Sequence, residues 1–205
     1  MTLIKICGIT RMEDARLALQ LGVQYLGFIF AESPRRVSAL QAASITRRLP
    51  GSIQRVGVFV DEDEARIRSI AAETGLDLIQ LHGEEPPELC GRFGLPVIKV
   101  IRTSGEDVFE KIEGYDTDLF LLEPYVPDQA GGTGKRADWK LARQIVDSFP
   151  DRKFILAGGL NPENVASAIR TVAPFAVDAS SGLEESPGVK SHDKIHNFVN
   201  NVRNL

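Results

Sequence analysis

Cysteine is scarce: the chain has two, Cys7 and Cys90, in 205 residues. They form no C-x-x-C pair and fall in different kinds of element, so neither a disulfide framework nor a zinc site is expected and both read as free thiols. Blocks of one charge are missing as well. The 24 basic and 28 acidic residues are interspersed and leave a net charge of -4, which gives no basic footprint for nucleic acid and no acidic tail. No apolar run is long enough to span a bilayer, and Met1 leads straight into strand-like sequence without a signal-peptide core. The expectation is a cytoplasmic protein with no membrane contact. No low-complexity run, linker or composition shift divides the chain, and at 43% hydrophobic it can bury one substantial core. One domain over residues 1–205, with a small soluble molecule as its partner, follows as the expectation.

What is present is an alternation. Apolar strands are read at Leu3 to Cys7, Tyr25 to Phe30, Gln54 to Val60, Asp77 to Leu81, Pro96 to Ile101, Asp118 to Leu122, Lys153 to Ala157 and Phe175 to Asp178. Helical patterns separate them. Thr10 and Glu13 have the spacing of a capping box before Met12 to Leu21, Ser38 starts a helix to Leu49, and Asp61 caps one to about Thr74. Helices follow at Pro87 to Phe93, about Glu106 to Glu113 and Asp138 to Ser148; Asn161 with Pro162 behind it opens another, and Ser191 opens the last, to about Arg203. Eight strand-helix units at a repeat of about 25 residues favour closure into a (β/α)8 barrel over an open doubly wound sheet. The fold class is therefore α/β.

In such a barrel the chemistry sits at the carboxyl ends of the strands. There the sequence has Cys7, Arg35, His82, Glu123, Gly158-Gly159, and Asp178 running into Ser180-Ser181-Gly182. Side chains alternate along a strand, so Leu3, Lys5 and Cys7 share one face. A thiol and an ammonium do not belong in an apolar core, and that face is expected to look into a site where Lys5 lowers the thiol pKa. Glu123 ends an apolar strand ahead of Pro124; desolvation is expected to raise its pKa and keep it protonated as an acid. Lys99 is expected to add positive field inside the barrel. The loops bearing Gly158-Gly159 and Ser180-Ser181 have the make-up of a phosphate cradle, with approachable backbone N–H groups and hydroxyl donors. Gly131-Gly132-Thr133-Gly134-Lys135 lacks the first glycine of a nucleotide P-loop and is read as a lid over the barrel mouth. His192 and His196 fall on the last helix, away from that mouth, so no metal site is expected.

Six motifs occur in order: Lys5-Ile6-Cys7-Gly8-Ile9-Thr10; Ser33-Pro34-Arg35; Gln80-Leu81-His82-Gly83-Glu84; Gly131-Gly132-Thr133-Gly134-Lys135; Ala157-Gly158-Gly159-Leu160-Asn161-Pro162-Glu163-Asn164; and Phe175-Ala176-Val177-Asp178-Ala179-Ser180-Ser181-Gly182. Together they resemble the phosphoribosylanthranilate isomerase family of tryptophan biosynthesis. The resemblance implies an Amadori rearrangement without metal or organic cofactor. It puts the general base on Cys7 and the anthranilate carboxylate on Arg35, with His82 and Asp178 also at the substrate. The phosphate falls on Gly158, Gly159, Ser180 and Ser181. Where the family usually has an aspartate as general acid this chain has Glu123, one methylene longer, with Asp128 as a weaker candidate. Arg36, and Arg136-Ala137, also depart from the family pattern. Rival readings are another phosphosugar isomerase or epimerase barrel, or an idle barrel that only binds a phosphorylated metabolite. A monomer and a homodimer are both compatible with the sequence.

Overall fold

The computed structural model describes residues 1–103, 107–123 and 139–205. Eight parallel strands close on themselves: β1 (Leu3–Cys7), β2 (Tyr25–Ile29), β3 (Gln54–Phe59), β4 (Leu78–Leu81), β5 (Val97–Arg102), β6 (Leu119–Glu123), β7 (Lys153–Leu156) and β8 (Ala176–Ala179). The ring shuts where β1 pairs with β8, setting Lys5 opposite Asp178. Around it lie α1 (Met12–Gln20), α2 (Ala39–Thr46), α3 (Glu64–Thr74), α4 (Val108–Gly114), α5 (Trp139–Ser148), α6 (Val165–Val172) and α7 (His192–Arg203). This is the (β/α)8 barrel that the alternation predicts.

Strand alternation sorts the apolar residues into two buried layers. Val56, Leu78, Ile98, Val100, Leu121 and Ile155 fill the barrel interior, and residues one step along, such as Ile4, Leu26, Ile79, Phe120 and Leu156, pack outward against the helices. The same parity corrects the expectation for Lys99. It shares its face of β5 with Val97 and Ile101, so it stands outside the barrel wall rather than inside it. There Lys99 Nζ donates to Glu85 Oε2 (2.6 Å) and to the Gly83 carbonyl (2.7 Å), while Glu85 accepts the Gly83 and Asp61 N–H groups (3.0 Å each). Both side chains are 2% exposed, and together they clamp the backbone that follows His82.

Burial alone would raise the Glu85 carboxyl, but Lys99 and the two N–H donors overcome it and hold the group below the usual carboxylate range. This stabilisation is present above the ordinary glutamate pKa and lost as pH falls through the lowered one. Lys99→Met should leave a buried carboxylate without its ion and destabilise the fold by about 3–5 kcal/mol, read as a lowered denaturant midpoint at neutral pH, with the difference from the parent shrinking in acid.

Several starts and stops differ from the sequence reading. Thr10 and Glu13 make no capping box, because the Thr10 hydroxyl donates instead to the Gly188 carbonyl; Arg11 is the N-cap residue and contributes no side-chain bond. Ser38 does form a box with Gln41. The third helix is capped by Asp63, not Asp61, whose side chain accepts the Glu84 N–H (2.7 Å) and so ties neighbouring loops. Pro87 to Phe93 proves to be a 3-10 helix, Pro87–Arg92, too short and too rich in proline and glycine for an α-helix. The Asn161 side chain caps a turn rather than the helix itself, which starts at Val165. After β8 the sequence reading has no further strand. The structure has a small antiparallel hairpin, β9 (Glu184–Ser186) and β10 (Val189–Lys190).

Candidate active site

The carboxyl ends of the strands surround a pocket of about 260 Å³. All nine described residues that the sequence puts forward line it: Cys7, Arg35, His82, Glu123, Gly158, Gly159, Asp178, Ser180 and Ser181. The four expected in a lid, Gly131, Gly132, Thr133 and Gly134, lie outside the described residues, as does Asp128. A second cavity opens at the opposite end of the barrel and contains none of these groups.

Cys7 ends β1 and is 6% exposed. The strand beside it is kept open by Gly27, its register partner: a Cβ there would lie 2.6 Å from the Cys7 Sγ. Inward-facing Lys5, one step below, is fully buried and bonded to Asp178 Oδ2 at 3.0 Å. Burial pulls the Lys5 ammonium down, yet Asp178 and Cys7 outweigh it and the group lies above the ordinary lysine value. The expected lowering of the Cys7 pKa is overturned. Burial pushes the thiol up, and the pull of Lys5 and Lys190 opposes this without overcoming it, so the free site holds a neutral thiol at neutral pH. Cys90 behaves as an ordinary core thiol, buried and pushed up to about 11.

Across the pocket, Glu123 Oε2 meets His82 Nε2 at 3.1 Å, and the other ring nitrogen of His82 lies 3.3 Å from the Gln80 amide nitrogen. If that amide donates, the Nδ1 atom accepts and the Nε2–H faces the carboxylate. Here too the expected pKa direction is reversed. The bond from His82 holds Glu123 below the usual carboxylate range, and burial opposes it only in part because the side chain is still 36% exposed.

The two loops expected to cradle a phosphate are pressed together. Gly158 and Gly159 both have left-handed φ angles, 85° and 66°, and a Cβ on Gly182 would fall 2.1 Å from the Leu160 carbonyl oxygen. Three buried polar atoms around the pocket have no hydrogen-bond partner among the described residues: Asp178 Oδ1, Ser180 Oγ and Gln80 Oε1. Buried polar atoms in folded proteins are nearly always paired, so this cluster marks where a polar ligand would be bound.

Arg35 is not free at the mouth. Its Nε and Nη2 atoms grip the Glu184 carboxylate at 2.7 to 3.1 Å, and Lys190 Nζ reaches the same carboxylate at 2.8 Å. Sequence reasoning missed Glu184, Lys190 and Gln80. The first two lie on the unexpected hairpin, where no periodicity points inward; Gln80 had one signal, an amide placed two residues before His82 on an inward-facing parity. Among the described residues no group of His, Cys, Asp and Glu is arranged to hold a metal ion, and no helix is long and apolar enough to cross a membrane.

The family model for N-(5'-phosphoribosyl)anthranilate (PRA) isomerase matches residues 4–201. The N-(5'-phosphoribosyl)anthranilate isomerase of Geobacter sp. (strain M21) is 45% identical over 206 residues, covering 100% of both chains. The crystal structure of phosphoribosyl anthranilate isomerase from Thermotoga maritima superposes with a TM-score of 0.92 at 44% identity, again over 100% of both chains. Another structure of such an isomerase holds reduced 1-(o-carboxyphenylamino)-1-deoxyribulose 5-phosphate; it is 40% identical, with a TM-score of 0.87 and full coverage of both chains. With the family matched from the first strand to the last helix, and with its motifs gathered around one pocket of a closed barrel, this chain belongs to the phosphoribosylanthranilate isomerase family.

Proposed function

We propose that this chain converts N-(5-phosphoribosyl)anthranilate to 1-(2-carboxyphenylamino)-1-deoxyribulose 5-phosphate, with Glu123 as general acid and Cys7 as general base. The observation that carries the reading is the placement of an acid, a thiol, a cation and a glycine-serine cradle around a single pocket of a barrel in this family. Glu123 protonates the furanose ring oxygen and the ring opens to a Schiff base. Cys7, as thiolate, removes the proton from C2 of the sugar. The enolamine then tautomerises to the ketone. His82 stabilises the Glu123 carboxylate left behind, Asp178 offers its free oxygen to a sugar hydroxyl, and Arg35 meets the anthranilate carboxylate. Backbone N–H groups of Gly158 and Gly159, with Ser180 and Ser181, hold the phosphate. The reaction is read as cytoplasmic and needs no cofactor.

The test follows the loss of anthranilate-type fluorescence with phosphoribosylanthranilate generated in situ. Turnover by the parent protein is the expected result; an inert protein that still binds the reduced product would instead favour an idle barrel. Gly182→Ala adds a test of the cradle. A methyl at 2.1 Å from the Leu160 oxygen must push the two loops apart. Displacing a phosphate site by about an ångström should lower kcat/KM by up to about a hundredfold, with inorganic phosphate weakened as a competitive inhibitor to a similar degree.

A further inference from the structure

The anchoring of Arg35 poses a problem of charge. A guanidinium paired one-to-one with a carboxylate is neutral as a unit and attracts a second carboxylate poorly. Here the Glu184 carboxylate carries two cations, Arg35 on the pocket side and the fully buried Lys190 ammonium behind it. The cluster therefore keeps one net positive charge. Glu184 occupies the Nε/Nη2 edge of the guanidinium, which leaves the Nη1 end without a partner among the described residues. Arg35 is also pressed flat against the loop after β1, where a Cβ on Gly8 would lie 2.8 Å from its Cδ. Lys190 fixes the other side of the arrangement, donating to the Ser180 carbonyl at 3.1 Å as well as to Glu184.

We propose that Glu184 and Lys190 form a positioning pair that aims the Nη1 end of Arg35 into the pocket and keeps it electropositive, so that the β9–β10 hairpin sets the preference for a substrate whose aromatic ring bears a carboxylate. The inference rests on the reading of Arg35 given above. Glu184 supplies direction, because a guanidinium held along one edge cannot swing about its Cδ–Nε bond. Lys190 supplies the charge balance. A purely structural role, stapling the hairpin to the barrel, would lower stability without changing which ligand is preferred.

The experiment compares two competitive inhibitors: the reduced carboxyphenylamino-deoxyribulose phosphate and its counterpart with an unsubstituted phenyl ring. Inhibition constants are measured for the parent, Arg35→Gln, Glu184→Gln and Lys190→Met, with thermal melts as a check on folding. In the parent the carboxylated compound should bind more tightly, and Glu184→Gln and Lys190→Met should each shrink that preference by about tenfold; Glu184→Gln should leave the phenyl compound unaffected, while Lys190→Met, which also releases the Ser180 carbonyl, weakens both compounds but the carboxylated one about tenfold more. In Glu184→Gln, KM for the substrate should rise to match with kcat kept within about threefold, whereas Lys190→Met is read from the inhibitor ratio alone, because its charge also acts on Cys7. Glu184→Asp, which retains the charge, should recover part of the preference. An unchanged preference in both variants, or an equal loss for both inhibitors, overturns the positioning role. Failure of the underlying reading looks different, since Arg35→Gln would then leave the preference intact. Should Glu184→Gln fold poorly, Lys190→Met carries the same test alone, because it leaves the Arg35 to Glu184 bonds in place while removing the balancing charge.

Discussion

Cys7→Ser should lower kcat at least about a hundredfold while leaving KM within a fewfold of the parent, the signature of a group needed for proton transfer rather than for binding. The substitution is nearly isosteric, and Gly27 leaves room for either side chain, so the fold has no reason to change. What changes is basicity of the accessible anion. A serine hydroxyl ionises far above the range in which a buried thiol does, and the positive charges of Lys5 and Lys190 do not close that gap. The pH profile gives the prediction a second edge. In the free site Cys7 is pushed up and Glu123 is held down, so at neutral pH the predominant form is thiol with carboxylate, which carries the one proton the reaction needs but on the wrong partner. The form with acid protonated and thiolate free has the same total charge and is a fixed minor fraction of it. Log kcat/KM should therefore be flat across neutrality. It should fall in acid as Glu123 takes up a proton while Cys7 keeps its own, and fall in alkali as Cys7 titrates with Glu123 already bare. The alkaline limb should lie above the ordinary thiol range, and a bell centred on neutral pH with its limbs close together would count against this assignment.

Glu123→Gln is the companion prediction. An amide cannot hand a proton to the furanose oxygen, so kcat should again fall at least about a hundredfold, and the acid limb of the profile should vanish with it. Glu123→Asp shortens the side chain to the family's usual residue. It should retain a measurable fraction of activity if reach is the only loss. His82 Nε2 donates to the Glu123 carboxylate, which strengthens the acid by stabilising the base it becomes; His82→Asn should weaken that effect and move the acid limb upward. Retention of full turnover by Glu123→Gln would mean that another group supplies the proton, and Asp128 is then the residue to change.

How much of this was legible beforehand depends on the range over which each feature is determined. The strands were readable because apolar alternation is local: all eight lie within a residue or two of their expected bounds. The gathering of Cys7, His82 and Glu123 around one pocket is readable because parallel strands in this fold end at the mouth of the barrel, so position along the strand carries the information. Lys99 shows where that logic needs parity as well as position, since one residue of register decides between the barrel interior and the helix layer. Thr10 was misread because a distant partner, the Gly188 carbonyl, competes successfully for its hydroxyl. The same limit applies to charge. The pKa directions of Cys7 and Glu123 depend on burial and on partners such as His82 and Lys190 that tertiary structure alone brings near. Glu184 meets Arg35 across 149 residues of sequence, and no local pattern announces such a pair.

The closure of β1 on β8 also has a consequence for assembly. Lys5 and Asp178 are separated by 173 positions, so at about 5–20 residues per second of synthesis the ammonium waits roughly ten to thirty seconds for its counter-ion. Until the eighth strand docks, shutting a partial ring would bury that ammonium unpaired, a penalty large enough to keep the nascent barrel ajar. A shortened chain that stops before Asp178 should thus populate an open, aggregation-prone sheet rather than a smaller barrel. Thiol, acid and phosphate cradle would come into register in one late step, which makes the final strand the gate through which a newly made chain becomes an enzyme.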